Sequence, residues 1–275
     1  MMLQLAAIVG DTLREAWDKK VLLGIVLSGT LAAALLQWYA ETVTQRGPHT
    51  ALAALAQSDP RYLDTAFVVR DVLAALAAFG MWIQIAAAVS LLMGLLASLL
   101  SAERNALLAA APVARPVLLV GRYAGLLLVS LAGIAVMYGE LWVAAGWRFG
   151  VWHWPFLAGI GLTLLAVSGT MALLLLLQSV VDSGAVAIVL TTAVCLLGVG
   201  AQQPDRVRDV TGSAWLGDAA AVLGKVLPQF SEIGKWMGAY IKAGVLLDAT
   251  PLWMTGAGIL VSLGLSGVVF ARKEF

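Results

Sequence analysis

Six long stretches of the chain carry no charged residue, and this limits the available folds more than any other feature. All 17 basic and 16 acidic residues lie outside residues 21–40, 72–100, 123–139, 154–181, 184–201 and 251–270. A helix needs about 20 apolar residues to cross about 30 Å of hydrocarbon. Because only a helix satisfies its own backbone in lipid, each stretch predicts one transmembrane helix.

The composition leads to the same fold class. Hydrophobic residues make up 61% of the chain and charged residues 12%, against roughly a quarter charged in an average soluble domain. A net charge of +1 provides no basic surface for nucleic acid, and the single cysteine, Cys195, cannot form an internal disulfide. The sequence therefore predicts an all-α integral membrane protein with one domain over residues 1–275.

The distribution of Lys and Arg predicts the orientation. With a cytoplasmic N-terminus, the inner segments hold 8 basic residues in 49 positions and the outer segments hold 9 in 94. This positive-inside bias predicts a cell (inner) membrane protein with both termini in the cytoplasm. The competing interpretation of residues 21–40 is a cleaved signal peptide. A retained span is favoured, because a signal core is about 7–15 residues long and ends at small residues.

Residues 3–20 predict an amphipathic helix ahead of the first span. Leu5, Val9, Leu13 and Trp17 recur at helical spacing, whereas polar residues such as Asp11 fall on the other side. This pattern is typical of a helix that lies in the membrane interface. A helix packed on a soluble partner is the alternative.

A second amphipathic region, residues 205–248, precedes the last span. Helical patterns over residues 214–227 and 231–247 are separated by Pro228, and each contains charge. We expect an outer helical hairpin that lies at or dips into the membrane. A small soluble domain is the alternative, but about 50 residues without disulfides are marginal for independent folding.

Pairs of small residues four apart predict close contacts between helices. The pairs are Gly24/Ser28, Gly121/Gly125 and Ser262/Ser266, and the last span also contains Gly256, Gly258, Gly264 and Gly267.

The sequence contains no recognisable catalytic, cofactor or metal motif. Lys225 is followed by Val226 where a phosphate loop needs Ser or Thr, and His49 and His153 lack partners at metal-ligand spacing. Glu140 and Asp71 lie at the edges of the predicted spans, where we expect them to be solvated. The chain is therefore predicted not to be an enzyme, to bind no cofactor and to obtain any energy from a partner.

The segment between the second and third spans carries a family resemblance. It reads Ser101-Ala-Glu103-Arg104-Asn105-Ala-Leu107-Leu108-Ala-Ala-Ala-Pro112-Val113-Ala-Arg115, and Gly121-Arg122-Tyr123-Ala-Gly125 follows. The chain ends in Phe270-Ala-Arg272-Lys273-Glu274-Phe275. In this order, and with the two amphipathic regions, the chain resembles the ABC-2 type permease family, the membrane subunits of ABC exporters.

The resemblance implies a function and a set of partners. It implies a permease driven by cytoplasmic ABC ATPase subunits, which bind the ATP, and paired with a second permease that is identical or different. It implies a cytoplasmic coupling segment at residues 101–116, whose ATPase-contacting residues are Glu103, Arg104, Leu107, Leu108, Pro112 and Arg115. The apolar spans favour an amphipathic, lipid-like or drug-like substrate. The alternative functions are a non-transporting membrane scaffold or assembly factor and an intramembrane enzyme, and the latter lacks paired catalytic groups.

Overall fold

The computed structural model describes residues 2–18, 64–99, 115–181, 183–227, 229–245 and 248–272, with residues 20, 59 and 61 and separate positions between 23 and 38. This described part is about 90% helical and contains no strand. Its helices are α1 (Met2–Asp18), α2 (Thr65–Leu99), α3 (Arg115–Phe149), α4 (Ala158–Val180), α5 (Gly184–Ala201), α6 (Pro204–Thr211), α7 (Ala214–Val226), α8 (Phe230–Ala243) and α9 (Thr250–Arg272). A 3-10 turn, Trp154–Leu157, precedes α4.

Five helices are long and apolar enough to cross a membrane, as expected for an all-α multi-pass membrane protein. The candidate spans are Thr65–Ser90, Val117–Phe149, Trp154–Val180, Gly184–Ala201 and Thr250–Phe270. Most of the other predicted span, residues 21–40, lies outside the described residues. The described positions from 23 to 38 are helical, and Leu23, Leu27, Leu31 and Leu35 are all exposed there.

Two helices extend well beyond the charge-free stretches that predicted them. α2 begins at Thr65 rather than at residue 72, and α3 covers residues 115–149 rather than 123–139. Each helix has 35 residues, so each is about 52 Å long at 1.5 Å per residue. A charge limits the part of a helix that sits in hydrocarbon, but it does not stop the backbone from continuing into the interface.

Local signals set several of the helix ends. α3, α6 and α8 are each followed by a glycine in the left-handed region: Gly150, Gly212 and Gly244, with φ of 70°, 64° and 65°. This conformation ends a helix and favours glycine, because a side chain at positive φ is strained. The N-terminus of α5 is capped by the Ser183 hydroxyl, which accepts from the Val186 N–H.

The central helix of the bundle is α4, which contacts α2, α3, α5, α8 and α9. At its start the Tyr138 hydroxyl of α3 lies 2.7 Å from the Thr163 hydroxyl and donates to the Ala77 carbonyl of α2 at 3.1 Å. The Tyr138 ring covers Gly159, where a Cβ would lie 2.4 Å from a ring carbon. One buried tyrosine therefore joins three helices.

The apolar side of α8 is inserted into the bundle between α2 and α4. Its Phe230, Ile233, Met237 and Ile241 are all fully buried. Phe230 packs edge-on against Trp82 of α2 with ring centroids 6.4 Å apart, and Lys242 pairs with Asp71 near the start of α2. These contacts show that α8 runs antiparallel to α2. Asp71 and Trp82 are 11 residues apart, so they lie about 17 Å apart along α2. Phe230, beside Trp82, is therefore about 17 Å further into the bundle than Lys242, which is beside Asp71.

The other helix of the predicted hairpin packs elsewhere. α7 contacts α5 and α6, and Gly224 lies so close to α5 that an added Cβ would be 2.6 Å from the Ala201 carbonyl oxygen. α7 therefore packs on α5 and α6, whereas α8 packs between α2 and α4.

Candidate functional site

The first candidate site is the contact between α1 and the beginning of α3. A Cβ added to Gly121 would lie 2.9 Å from Ile8 Cγ2, and one added to Gly125 would lie 2.7 Å from Thr12 Cβ. Thr12 is fully buried in this contact. The predicted role of Gly121 and Gly125 in a close helix contact is confirmed, and the partner is the N-terminal helix. By contrast, a Cβ added to Gly256, Gly258, Gly264 or Gly267 would meet no atom of the described chain within 4 Å, so these glycines make no close contact within it.

Arg122 holds the two helices together by charge. Its Nη2 donates to Asp11 at 2.7 Å, and its Nη1 donates to Glu15 at 3.2 Å and to the Thr12 hydroxyl at 3.3 Å. Asp11 and Glu15 lie four apart, on one side of α1, so both reach the same guanidinium. We call these four residues the clamp.

The clamp is nearly closed to solvent on the α3 side. The side chain of Arg122 is 7% exposed and that of Glu15 13%, while Asp11 is 51% exposed. Arg122 Nε is buried and has no hydrogen-bond partner among the described residues. The pairing with two carboxylates compensates for the burial of the Arg122 charge, because a guanidinium is costly in an apolar bundle unless it is paired.

The clamp shows which side of α1 packs on the protein. Asp11 and Glu15, on the polar side of the predicted helix, face α3. Leu13 and Trp17 are 38% and 71% exposed, and Val9 is half-buried. The side chain of Leu5 is not described. Placement of the exposed side in the membrane interface remains a prediction.

The predicted coupling residues adjoin the clamp in the chain. Glu103, Arg104, Leu107, Leu108 and Pro112 lie outside the described residues. Arg115 is the first residue of α3, although its side chain is not described. From Arg115 to Arg122 is about 10 Å along the helix. A displacement of the predicted coupling segment, residues 101–116, would therefore act on α3, the helix to which α1 is bound.

Three polar residues considered in the sequence have partners. Asp71 pairs with Lys242, and Glu140 accepts from the Thr30 hydroxyl at 3.3 Å. Both carboxylates are half-buried, so each is partly exposed to solvent and also has a partner in the protein. His153 Nε2 lies 2.6 Å from the carbonyl oxygen of Ile241, which ties the turn after α3 to α8. Among the residues that the structure describes, no group of three or more His, Cys, Asp or Glu could hold a metal ion.

His153 is held in an environment that favours its neutral form. Burial lowers the pKa of His153 below its usual value, the hydrogen bond to Ile241 opposes this shift, and the positive charge of Arg70 adds to it. A neutral ring with a proton on Nε2 donates to the Ile241 carbonyl. Through this hydrogen bond, His153 anchors α8 to the turn that follows α3.

The second candidate site is an open groove between α2, α5 and α8, with a volume of about 520 Å³. It is lined by Ala78, Trp82, Leu196, Val199, Ser231, Gly234 and Lys235. Lys235 Nζ donates to Glu232 Oε1 at 2.6 Å. Apart from Ser231 and Lys235, its lining is apolar or glycine.

Comparison with known proteins adds no further assignment. The sequence matches no family model and no curated protein. The resemblance to ABC-2 permeases therefore stands on the residues that carry it.

Both sites contain residues that sequence reasoning did not single out. For Arg122 the available signal is the pair of i, i+4 carboxylates, Asp11 and Glu15, on one side of an amphipathic helix. Glu232 and Lys235 formed a local i, i+3 pair in a helix expected at the surface. Only the burial of α8 places that pair beside an apolar groove.

Proposed function

We propose that this chain is the permease subunit of an ATP-driven ABC-2 type transporter in the cell membrane, with both termini in the cytoplasm. It pairs with a second permease, and two cytoplasmic ATPase subunits drive it. ATP binding on those subunits moves the coupling segment, and the pair of permeases opens alternately to the two sides. The clamp is the observation that carries this proposal.

The clamp suits a protein that receives work through contact. The sequence has no phosphate loop, so an ATP-driven cycle requires a mechanical connection to a partner. Arg122 joins α1 to α3 about two turns after residues 101–114, through a buried guanidinium that pairs with the largely buried Glu15 and the half-exposed Asp11. Displacement of the coupling segment would therefore move α1 and α3 together, whereas a separate surface helix would be left behind.

The insertion of α8 supports the same proposal. The resemblance implies an outer hairpin that re-enters the membrane before the last span, and α8 runs deep between α2 and α4 with its apolar side buried. Such a helix can shape a substrate path in the outer half of the membrane.

The decisive experiment is purification of the tagged full chain from its native membranes in a mild detergent, with an assay for a bound ATPase. We expect an ATPase in stoichiometric amount, lost when Leu107 and Leu108 are both changed to Asp. The matched control is Val210→Asp, because Val210 is 84% exposed on α6, at the end of the bundle opposite α1. This variant should retain the ATPase.

The opposite result has a clear meaning. If no ATPase accompanies the wild-type chain under any gentle condition, the exporter proposal fails and the scaffold becomes the leading function. If the ATPase persists in the Leu107→Asp/Leu108→Asp variant, the coupling role of these leucines is wrong.

A further inference from the structure

The groove between α2, α5 and α8 has Lys235 in its wall, and Glu232 adjoins it through its ion pair with Lys235. Ala78 and Trp82 line it from α2, and Lys235 lines it from α8. The α2 residues lie well inside the candidate span Thr65–Ser90. Because α8 is antiparallel to α2, Lys235 lies at about the level of Ala78. The groove therefore opens on the bundle surface at the level of this candidate span.

The Glu232–Lys235 pair has unused hydrogen-bonding capacity. An ammonium has three donors and a carboxylate about four acceptor positions, and within the described chain these two groups contact each other once, at 2.6 Å. Their side chains are 34% and 55% exposed. Because each group keeps free donor or acceptor positions beside this contact, the pair can also bind a ligand that supplies both an anion and a hydrogen-bond donor.

The walls of the groove restrict the rest of the ligand. Apart from Ser231 and Lys235, the lining residues are apolar or glycine. The wall from Trp82 to Leu196 and Val199 suits a hydrocarbon chain. A ligand that satisfies the whole surface is an amphiphile with a small zwitterionic head.

We propose that this groove binds a membrane phospholipid with a phosphoethanolamine headgroup. Its phosphate accepts from Lys235, its primary ammonium donates to Glu232, and one acyl chain lies along Trp82, Leu196 and Val199. A choline headgroup lacks the N–H donors, and a glycerol headgroup lacks the cation. The assignment of this lipid as cargo rests on the proposed function, whereas its binding does not.

The test uses the purified full chain in a mild detergent, with phosphatidylethanolamine, phosphatidylcholine or phosphatidylglycerol of identical acyl chains added. Bound lipid is counted by native mass spectrometry, and the melting temperature is followed in parallel. We expect the ethanolamine lipid to bind at least about tenfold more tightly than the other two, since charge-assisted hydrogen bonds are the strong ones.

Variants of Lys235 and Glu232 test whether the ion pair causes the preference for the ethanolamine lipid. Lys235→Met and Glu232→Gln should each remove the preference, and Lys235→Arg should retain it, because a guanidinium also binds phosphate. The matched control is Lys242→Met. Lys242 lies on the same helix and also pairs with a carboxylate, that of Asp71, but it is seven residues, about 10 Å, along α8 from Lys235, so the preference should be unchanged. The retained variants keep the test informative if one charge-removing variant fails to fold.

Two results would overturn the proposal. One is equal binding of the ethanolamine and choline lipids to the wild-type chain. The other is an unchanged preference in both Lys235→Met and Glu232→Gln. Neither depends on a bound ATPase, so failure of the lipid site and failure of the transporter function are observed separately.

Discussion

Arg122 of α3 donates to Asp11 of α1 across 2.7 Å, although 111 residues separate them in the chain. The contact contains three charged residues: Arg122 from α3, and Asp11 and Glu15 from α1. The contact lies where the predicted coupling segment enters the bundle. It makes the N-terminal helix part of the membrane domain.

Removal of the clamp arginine should release α1. In Arg122→Gln, Glu15 loses a partner in a site where it is 13% exposed, and breaking a buried ion pair costs about 3 kcal/mol. We expect faster amide hydrogen exchange over residues 8–17 than in the wild type. Arg14→Gln changes the same charge on the exposed side of α1 and should leave the exchange unchanged. Equal protection in Arg122→Gln and the wild type would show that the ion pairs do not hold α1.

The glycine contact should be sensitive to a single methyl group. Gly125→Ala places a Cβ 2.7 Å from Thr12 Cβ, and overpacking of this kind costs about 1–3 kcal/mol. Gly139→Ala, on the same helix, meets no atom of the described chain within 4 Å, and we expect it to be neutral or slightly stabilising. Thermal unfolding in detergent measures both. A melting temperature of Gly125→Ala equal to that of Gly139→Ala would contradict the close approach of α1.

The Tyr138 hydroxyl should contribute to the stability of the bundle. Tyr138→Phe removes the contacts to Thr163 at 2.7 Å and to the Ala77 carbonyl at 3.1 Å, and unsatisfied buried groups cost about 1–3 kcal/mol. We expect a lower melting temperature. The control is Tyr240→Phe, whose half-buried ring stacks on Trp236 of the same helix. A change as small as that of the control would mean that the three-helix junction does not depend on this hydroxyl.

Acidification should weaken the anchor of α8. The pKa of His153 is lowered by burial, so as the pH falls below about 6.5 the unfolded chain takes up the proton before the folded chain does. This part of the stability is therefore present above about pH 6.5 and lost below it, down to the lowered pKa. Melting temperatures from pH 8 to pH 5 should fall less in His153→Gln than in the wild type, with His49→Gln as the control. Parallel curves for the wild type and His153→Gln would contradict the prediction.

The sequence by itself determined the fold class, because long charge-free stretches in a chain with 12% charged residues have only helices as an option in lipid. It also predicted the Gly121/Gly125 contact, since small residues four apart leave room for a second backbone. Both signals are local and need no knowledge of what lies across the chain. The helix ends were less well predicted. The charges of Arg122 and Glu140 mark the ends of the predicted span, but both residues lie inside the longer helix α3.

Only the tertiary structure decided which helices pack together and which charged residues pair. An amphipathic pattern states that one side of a helix is apolar, but it does not state whether lipid, water or protein covers that side. α8 shows the difference, because its apolar side is buried between α2 and α4 and its Glu232–Lys235 pair borders a groove. Arg122 shows it as well, because its carboxylates come from a helix that precedes it by more than 100 residues. Such pairings depend on how helices pack against each other, which no local spacing of residues records.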